Sequence, residues 1–266
     1  MIDRSEGRRL FGLDPAGYDA ARPGHHDLVY DVLVQRCGLG DGTAVLEVGP
    51  GTGQATRRLL ELGADPLVVV EPNEQLAEHL EKAFTDRVEV RRTTLEDADL
   101  HPTAFDLAAA ASSFHWVEET AGLTKIHGVL RPGGWVALWW TLFGDRGRHD
   151  AFMRATRPLL DGLEASPTKG RRGRPRHALD RKARVRALHG AGFVDVEHEL
   201  VDWDASWDTK GIRGLYGSFS PILSLEAARR VELLDEIARI ADEEFGGRVE
   251  RTLTTSLYTA QRPTPT

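Results

Sequence analysis

Nearly continuous apolar runs alternate with segments of mixed polarity along the first half of the chain. The apolar runs predict strands at residues 44–48, 66–70, 87–90, 104–111 and 135–141. The segments between them predict helices at residues 54–62, 73–83 and 118–129. Apolar runs of this kind are typical of strands that are buried on both faces. The alternation therefore predicts an α/β fold: a doubly wound, mostly parallel sheet that helices cover on both sides.

The second half of the chain interrupts this rhythm and then resumes it. The stretch from Gly144 to Pro175 holds a predicted helix and a basic run, and we interpret it as an insertion. The pattern then predicts helices at 180–189 and 225–245 and strands at 193–201 and 253–260, which makes seven strands in total. A further helix, at 27–39, precedes the first strand. We therefore divide the chain into four predicted regions: the N-terminal helical part (1–40), the α/β core (41–143), the insertion (144–179) and the rest of the sheet with its helices (180–266).

Composition and charge exclude several classes of protein. The chain has 266 residues, of which 41% are hydrophobic, enough to bury a sizeable core. The net charge of −7 argues against a general binder of nucleic acids or of anionic membranes. The single cysteine and the absence of metal-site motifs lead us to expect no disulfide framework and no metal. The chain shows neither a membrane-spanning run nor a secretory signal, so we expect a cytoplasmic protein.

A glycine-rich turn follows the first predicted strand and leads into a helix. It reads Glu47-Val48-Gly49-Pro50-Gly51-Thr52-Gly53, and Gln54 stands where the dinucleotide-binding pattern has its third glycine. Glycines let a ligand approach the backbone, and a helix N-terminus attracts anionic groups. The alternative is that these glycines only form a tight turn between strand and helix.

Acidic residues follow the next two predicted strands. Glu71 closes the second strand, where a carboxylate can accept hydrogen bonds from both hydroxyls of a ribose. Leu95-Glu96-Asp97 follows the third strand, where an acid can accept from an adenine amino group. Taken alone, Glu71 would be a charge favoured by a helix N-terminus, and Glu96 would belong to a solvated turn. Together with the glycine turn, they indicate an adenosine-containing ligand at one edge of the sheet.

These motifs together resemble a known family. The segments VLEVGPGTGQAT, VVVEPN, FDLAAAASSFHW and VLRPGGWVALWW, with Glu96 between them, are similar to the class I S-adenosylmethionine-dependent methyltransferases. The similarity runs from about Thr43 to Trp140. Weaker similarities near Tyr18 and after Gly190 resemble the small-molecule, type 11-like branch. The resemblance implies a Rossmann-like sheet in the order 3-2-1-4-5-7-6, with S-adenosylmethionine as cofactor.

The resemblance also implies roles for individual residues. The glycine turn would hold the methionine part of the cofactor, Glu71 the ribose and Leu95 with Glu96 the adenine. Ser112 would lie near the methionine amino group. The N-terminal helices would form a lid over this core, and the insertion would add to the cap. The implied cofactor-binding residues are Tyr18, Arg22, Glu47, Gly49, Gly51, Gly53, Glu71, Pro72, Leu95, Glu96 and Ser112.

Methyl transfer needs positioning of the acceptor and, for some acceptors, a base. His115 follows the fourth strand and is the candidate base, although a histidine that only fixes the loop explains the pattern as well. Trp116 either contacts the acceptor or is an aromatic residue of the core. Substrate contacts are expected from the N-terminal helices, the insertion and an aromatic helical segment at about 203–247. The candidate pocket residues are His25, Trp116, Trp139, Tyr216 and Phe219.

We therefore interpret the chain as a methyltransferase that acts on a small organic acceptor. A second hypothesis keeps the cofactor but replaces methylation by a cyclisation or rearrangement. A third is an NAD-dependent oxidoreductase or a non-catalytic nucleotide-binding module, and the missing third glycine counts against the oxidoreductase. The sequence leaves open the acceptor, its reacting atom and the oligomeric state.

Overall fold

The structure of the protein is a computed structural model that describes residues 19, 21–143, 150–163 and 176–265. The strands of these residues are β1 (Thr43–Val48), β2 (Ala64–Val70), β3 (Glu89–Arg91), β4 (Phe105–Ala111), β5 (Leu130–Phe143), β6 (Val194–Asp208) and β7 (Arg248–Gln261). The helices are α1 (Asp27–Gln35), α2 (Gln54–Glu61), α3 (Glu74–Ala83), α4 (Glu119–Val129), α5 (Ala151–Leu160), α6 (Arg181–Gly190), α7 (Thr209–Gly217), α8 (Ser220–Leu223) and α9 (Ala227–Phe245). Short 3₁₀ turns lie at Phe114–Trp116 and His177–Leu179.

The strands form one seven-stranded sheet in the order β3-β2-β1-β4-β5-β7-β6. Strands β3 to β5 pair in parallel, whereas β7 is antiparallel to both β5 and β6. The fold class and strand order predicted from the sequence are confirmed. Because β1, β2 and β4 are adjacent and parallel, their carboxyl ends meet at one edge, where doubly wound sheets bind their ligands.

The core of the protein has three parts. Two apolar clusters cover the two faces of the sheet: one is centred on β4, α4 and α6, and the other on α1, α2 and β2. A third cluster joins α5, α7 and α9 and includes Phe152, Leu215 and Ile237. This third cluster gives the helices outside the sheet a core of their own, which fixes them as a layer next to the carboxyl end of β5.

The structure corrects several predicted boundaries. Helix α1 ends at Gln35 rather than at 39, because the backbone leaves the helix there and Leu39 N–H bonds back to the carbonyl of Leu33. The segment 203–208, predicted as the start of a helical substrate-facing region, belongs to strand β6. It pairs with β7 as far as Asp208–Arg248. The alternation of tryptophan and aspartate there is typical of a strand, and the predicted strand, which ended at 201, was too short.

No helix within the described ranges combines the length and the apolar character that a membrane crossing needs.

Candidate functional site

A cavity of about 540 Å³ opens where β1, β2, β4 and β5 end. On the opposite side it is closed by residues of α5, α7 and α8 and by the segment before α1. The predicted site residues that line this cavity are Arg22, His25, Gly49, Gly51, Glu71, Pro72, Leu95, Glu96, Ser112, His115, Trp116, Tyr216 and Phe219. Glu47, Gly53 and Trp139 do not line it, and Tyr18 lies outside the described residues.

The three glycines of the turn meet three different requirements. All have positive φ, of 64° at Gly49, 61° at Gly51 and 88° at Gly53, a conformation that favours glycine. A Cβ atom on Gly49 would lie 2.7 Å from Cβ of Ser113. A Cβ atom on Gly51 would meet nothing within 4 Å, so the space beside this residue is open cavity. The turn therefore keeps room for a ligand at Gly51.

Gly53 was predicted to contact the cofactor, and the structure gives it another role. A Cβ atom at this position would lie 2.5 Å from a ring carbon of Phe84, so glycine is needed for packing against α3. Gly53 is also the N-cap of α2, which has no capping side chain. The first amides of this helix are therefore left without a side-chain acceptor at the end nearest the cavity.

Glu71 is held at the cavity edge by backbone amides. One carboxylate oxygen accepts from Gly51 N–H at 3.3 Å, and the other accepts from Asn73 N–H at 2.9 Å. The residue is only 5% exposed and lines the cavity. A carboxylate has about four acceptor directions, so a ligand hydroxyl can bind in addition to these amides. This geometry suits the ribose role that the resemblance implies.

Glu96 contributes a buried acceptor that lacks a partner. Its Oε1 accepts from Glu118 N–H at 2.9 Å, while Oε2 is buried with no hydrogen-bond donor among the described residues. Leu95, which is 2% exposed, and Glu96 both line the cavity. A buried carboxylate oxygen without a donor is costly, so its presence indicates a donor that a ligand supplies. An adenine amino group has the required chemistry, and the site fits S-adenosylmethionine on this observation.

The segment before α1 is fastened to the glycine turn. Thr52 donates from its hydroxyl to the Asp19 carboxylate at 3.0 Å. The Gln54 side-chain amide donates to the carbonyl oxygens of Asp19 and Arg22 at 3.2 and 3.3 Å. Gln54, which the sequence analysis noted only as a missing glycine, thus ties the covering segment to the cofactor loop. Trp207 of β6 holds the same segment from another side, because its indole N–H donates to the carbonyl of Ala21 at 3.1 Å.

Glu47 supports the turn from below the cavity. Its side chain is fully buried, and one oxygen accepts from the Thr56 hydroxyl at 2.7 Å while the other has no partner among the residues that the structure describes. Burial, together with the negative charge of Glu71, raises the pKa of Glu47 from its ordinary value of 4.5 to about 7, and the Thr56 hydrogen bond opposes this rise. Glu47 therefore acts on the loop through α2 and not by contact with a ligand in the cavity.

This raised pKa predicts a pH dependence of stability. Between the ordinary and the raised pKa, the folded chain binds a proton that the unfolded chain has lost, so the free energy of unfolding falls as pH rises. In the unchanged protein, the free energy of unfolding should fall by up to about 3 kcal/mol between pH ~5 and pH ~8. The variant Glu47→Gln should not show this fall. Urea unfolding of the cofactor-free protein at both pH values measures it. Glu61→Gln on the exposed end of α2 is the control, and equal pH profiles for Glu47→Gln and the unchanged protein would contradict the assignment.

His115 is fixed by a neighbouring tryptophan. The indole N–H of Trp140 donates to His115 Nδ1 at 3.2 Å. Because an indole nitrogen can only donate, Nδ1 is the acceptor, and the proton of the neutral ring lies on Nε2. In this arrangement His115 can take a proton only if Nδ1 gives up the bond to Trp140. The base role stays a prediction, and the loop-fixing alternative has a contact that supports it.

The tautomer of His115 is a second testable point. Long-range ¹H–¹⁵N spectra of ¹⁵N-histidine-labelled protein at mildly alkaline pH report which ring nitrogen is protonated. The His115 signal is the one that His115→Gln removes. It should show the proton on Nε2. Trp140→Phe deletes the donor and should weaken this preference. A His115 signal with Nδ1 protonated would contradict the described hydrogen bond.

Trp139 was predicted as a pocket residue, and this prediction is wrong. Consecutive residues of a strand face opposite sides of a sheet, so Trp140 reaches the cavity while Trp139 packs into the core beneath α1 with no exposed surface. Its ring lies edge-on to His25, with 5.6 Å between centroids. Burial and the charge of Arg22 lower the pKa of His25 to about 4, so its ring is neutral at pH 7. Trp139 thus supports His25, which does line the cavity.

An aromatic wall lies beyond the end of β5. Phe219 packs against Phe143 and Tyr216, with ring centroids 5.4 and 5.2 Å apart. The Tyr216 hydroxyl is paired with Thr156 at 3.0 Å and accepts from buried Arg251 at 3.3 Å. Trp207, which was expected to wall an acceptor, lies instead on β6 and does not line the cavity.

The cavity is also lined by residues that the sequence did not predict as part of the site, among them Thr52, Gln54, Trp140 and Arg176. Gln54 could have been found from the sequence, because it departs from the dinucleotide pattern. Trp140 could not, because nothing in the sequence distinguishes it from Trp139. Arg176 lies at the end of the basic run, which we interpreted as part of an insertion.

Comparison with known proteins agrees with this geometry. Residues 46–138 match a family described as a methyltransferase domain. The chain is 24% identical over 258 residues to an uncharacterized methyltransferase of Schizosaccharomyces pombe, covering 96% of this chain and 97% of the relative. In overall structure it is similar to the [4+2]-cyclase SpnF, with a TM-score of 0.61, 17% identity and coverage of 99% and 97% of the two chains.

A further similar structure contains a product of the cofactor. Haemonchus contortus phosphoethanolamine N-methyltransferase 2, in complex with phosphomonomethylethanolamine and S-adenosylhomocysteine, aligns with a TM-score of 0.58 and 13% identity. The alignment covers 99% of this chain and 61% of that one. Residues 46–138 of this chain thus match a methyltransferase domain, and its sheet, with the glycine turn and the two acids at the strand ends, is similar to that of the class I S-adenosylmethionine-dependent methyltransferases.

Proposed function

We propose that the protein transfers a methyl group from S-adenosylmethionine to a small organic acceptor. The observation that carries this proposal is the continuity of the cavity: it is lined both by Glu71 and Glu96 and by the aromatic wall of Phe143, Tyr216 and Phe219. Cofactor-type groups and an apolar compartment therefore share one cavity.

The size and closure of the cavity support a small acceptor. Its volume of about 540 Å³ lies in the usual range of small-molecule sites, roughly 300–1,000 Å³. The segment containing Arg22 covers it from one side, and α7 and α8 cover it from the other.

Bound S-adenosylmethionine supplies a methyl group on a positively charged sulfur. The chain supplies the rest: Glu71 orients the ribose end, and the turn at Gly49–Gly51 leaves room for the methionine end. Trp116, in the 3₁₀ turn after β4, and Trp140, in β5, also line the cavity. Positioning of this kind contributes several kcal/mol to a displacement reaction. His115, held by Trp140, presents Nε2–H as a hydrogen-bond donor.

The proposal is tested in two steps. Calorimetry should give binding of S-adenosylhomocysteine and none of NAD; binding of NAD alone would overturn it. The protein is then incubated with methyl-labelled S-adenosylmethionine and a library of small organic compounds. A product heavier than its substrate by one methylene is expected. A product of unchanged mass would instead favour the cyclisation or rearrangement hypothesis, which the structural similarity to the [4+2]-cyclase keeps in view.

A further inference from the structure

The charges that line the cavity are separated by sign. The acidic side chains among its described lining residues are Glu71 and Glu96, and both lie at the end that fits ribose and adenine. The arginines of the lining, Arg22 and Arg176, lie at the other end. An acceptor that enters the apolar end therefore meets positive charge and no described carboxylate.

The two arginines converge on the last residue of β5. The guanidinium of Arg22 lies 5.4 Å from the ring centroid of Phe143 and 5.4 Å from that of Phe219. It also donates to the Ser218 hydroxyl at 3.0 Å. Arg176 donates from Nη1 to the carbonyl oxygen of Phe143 at 3.2 Å. Arg176 is thus anchored by a neutral group beside the aromatic wall and retains further N–H donors.

A third arginine lies near Arg176 and is neutralised by a carboxylate. Arg251 is 2% exposed and bonds to Asp150 at 2.9 Å, while its Nη2 has no partner among the described residues. Burial lowers the pKa of Arg176, and the nearby positive charge of Arg251 lowers it further. In the described part of the chain, Asp150 is the ion-pair partner of Arg251, and no carboxylate pairs with Arg176.

An unpaired hydroxyl lies close to this end of the cavity. Thr141 stands two residues before Phe143, lines the cavity, and has a buried Oγ1 with no partner among the described residues. A buried hydroxyl without a partner indicates that a ligand or a water completes it. The acceptor end therefore combines aromatic surface, two arginines and one hydroxyl donor.

We propose that the methyl acceptor carries a carboxylate, which Arg176 and Arg22 bind while its apolar body packs on Phe143 and Phe219. The inference rests on the proposed function and adds the chemical class of the acceptor to it. Arginine suits this task because its planar fork binds carboxylates through two parallel hydrogen bonds. A neutral acceptor of the same shape would leave Arg176 without an anionic partner among the described residues.

The test measures binding and does not need turnover. The protein is saturated with S-adenosylhomocysteine, and ligand-observed NMR follows a panel of aromatic and aliphatic carboxylates, each paired with its primary amide. Carboxylates should bind, and their amides should bind at least about tenfold more weakly. Arg176→Gln should weaken carboxylate binding about tenfold or more while leaving S-adenosylhomocysteine affinity within about twofold. Arg229→Gln on the exposed face of α9 is the matched control and should change neither.

The outcomes separate this inference from the proposed function. If S-adenosylhomocysteine fails to bind the unchanged protein, the proposed function fails. If it binds, and either no carboxylate of the panel binds or amides bind equally well, the inference alone is overturned. Carboxylate binding that survives Arg176→Gln also overturns it. Loss of S-adenosylhomocysteine affinity in Arg22→Gln would assign Arg22 to the cofactor, as the sequence resemblance implies, and remove it from the acceptor site.

Discussion

Replacing Gly51 by valine is expected to lower the affinity for S-adenosylhomocysteine about a hundredfold or more. The Cβ atom at this position meets no atom of the described residues within 4 Å, so the added side chain would occupy the space that the ligand needs. Displacing a ligand from tight contact costs about 3 kcal/mol, which corresponds to this loss. Calorimetry on the purified variant measures it.

The chain offers a matched control for the strain of this substitution. Gly38 also has positive φ, 72°, and open space around its Cβ position, but it does not line the cavity. Valine at either position costs roughly 1–2 kcal/mol of stability from the left-handed backbone. Gly38→Val should therefore lose stability to a similar extent and keep its affinity. Similar affinities in the two variants would remove Gly51 from the cofactor site.

Glu71→Ala should weaken S-adenosylhomocysteine binding about ten- to a hundredfold. Hydrogen bonds to a charged group contribute about 1.5–3 kcal/mol, and this carboxylate is nearly buried at the cavity edge. The substitution also removes the acceptor of Gly51 N–H and so loosens the turn. Both effects act on the same ligand and add to the loss.

Glu74→Ala is the control for Glu71→Ala. Glu74 lies three residues further along at the start of α3, is exposed, and bonds to Arg92 outside the cavity. Its removal should leave binding unchanged within about twofold. An unchanged affinity in Glu71→Ala, measured by the same calorimetry, would show that the ribose is not held at the end of β2.

The sheet and the cofactor edge were predictable because each depends on local signals. The apolar runs of β1, β2 and β4 need no knowledge of partners, and parallel strands always bring their carboxyl ends to one edge. Glu71 and Glu96 could be placed from this rule alone. The glycine turn was identifiable as a unit, but the role of Gly53 was not, because its packing partner Phe84 is about thirty residues away.

The acceptor side was less predictable because it depends on contacts between distant segments. Trp139 and Trp140 have the same side chain, and only the register of β5 against its neighbours decides which one faces the cavity. Gln54 gains its meaning from Asp19 and Arg22, more than thirty residues earlier. Arg22 and Arg176 are far apart in the sequence, so no local pattern predicts that they lie close together.

The most direct test of the account is a crystal structure of the protein with S-adenosylhomocysteine. The account predicts the adenine amino group within hydrogen-bond distance of the Glu96 side chain, whose Oε2 has no donor among the described residues. It also predicts the ribose hydroxyls on Glu71 and the homocysteine part along Gly49 and Gly51. Adenosine bound away from the carboxyl ends of β1, β2 and β4 would contradict it.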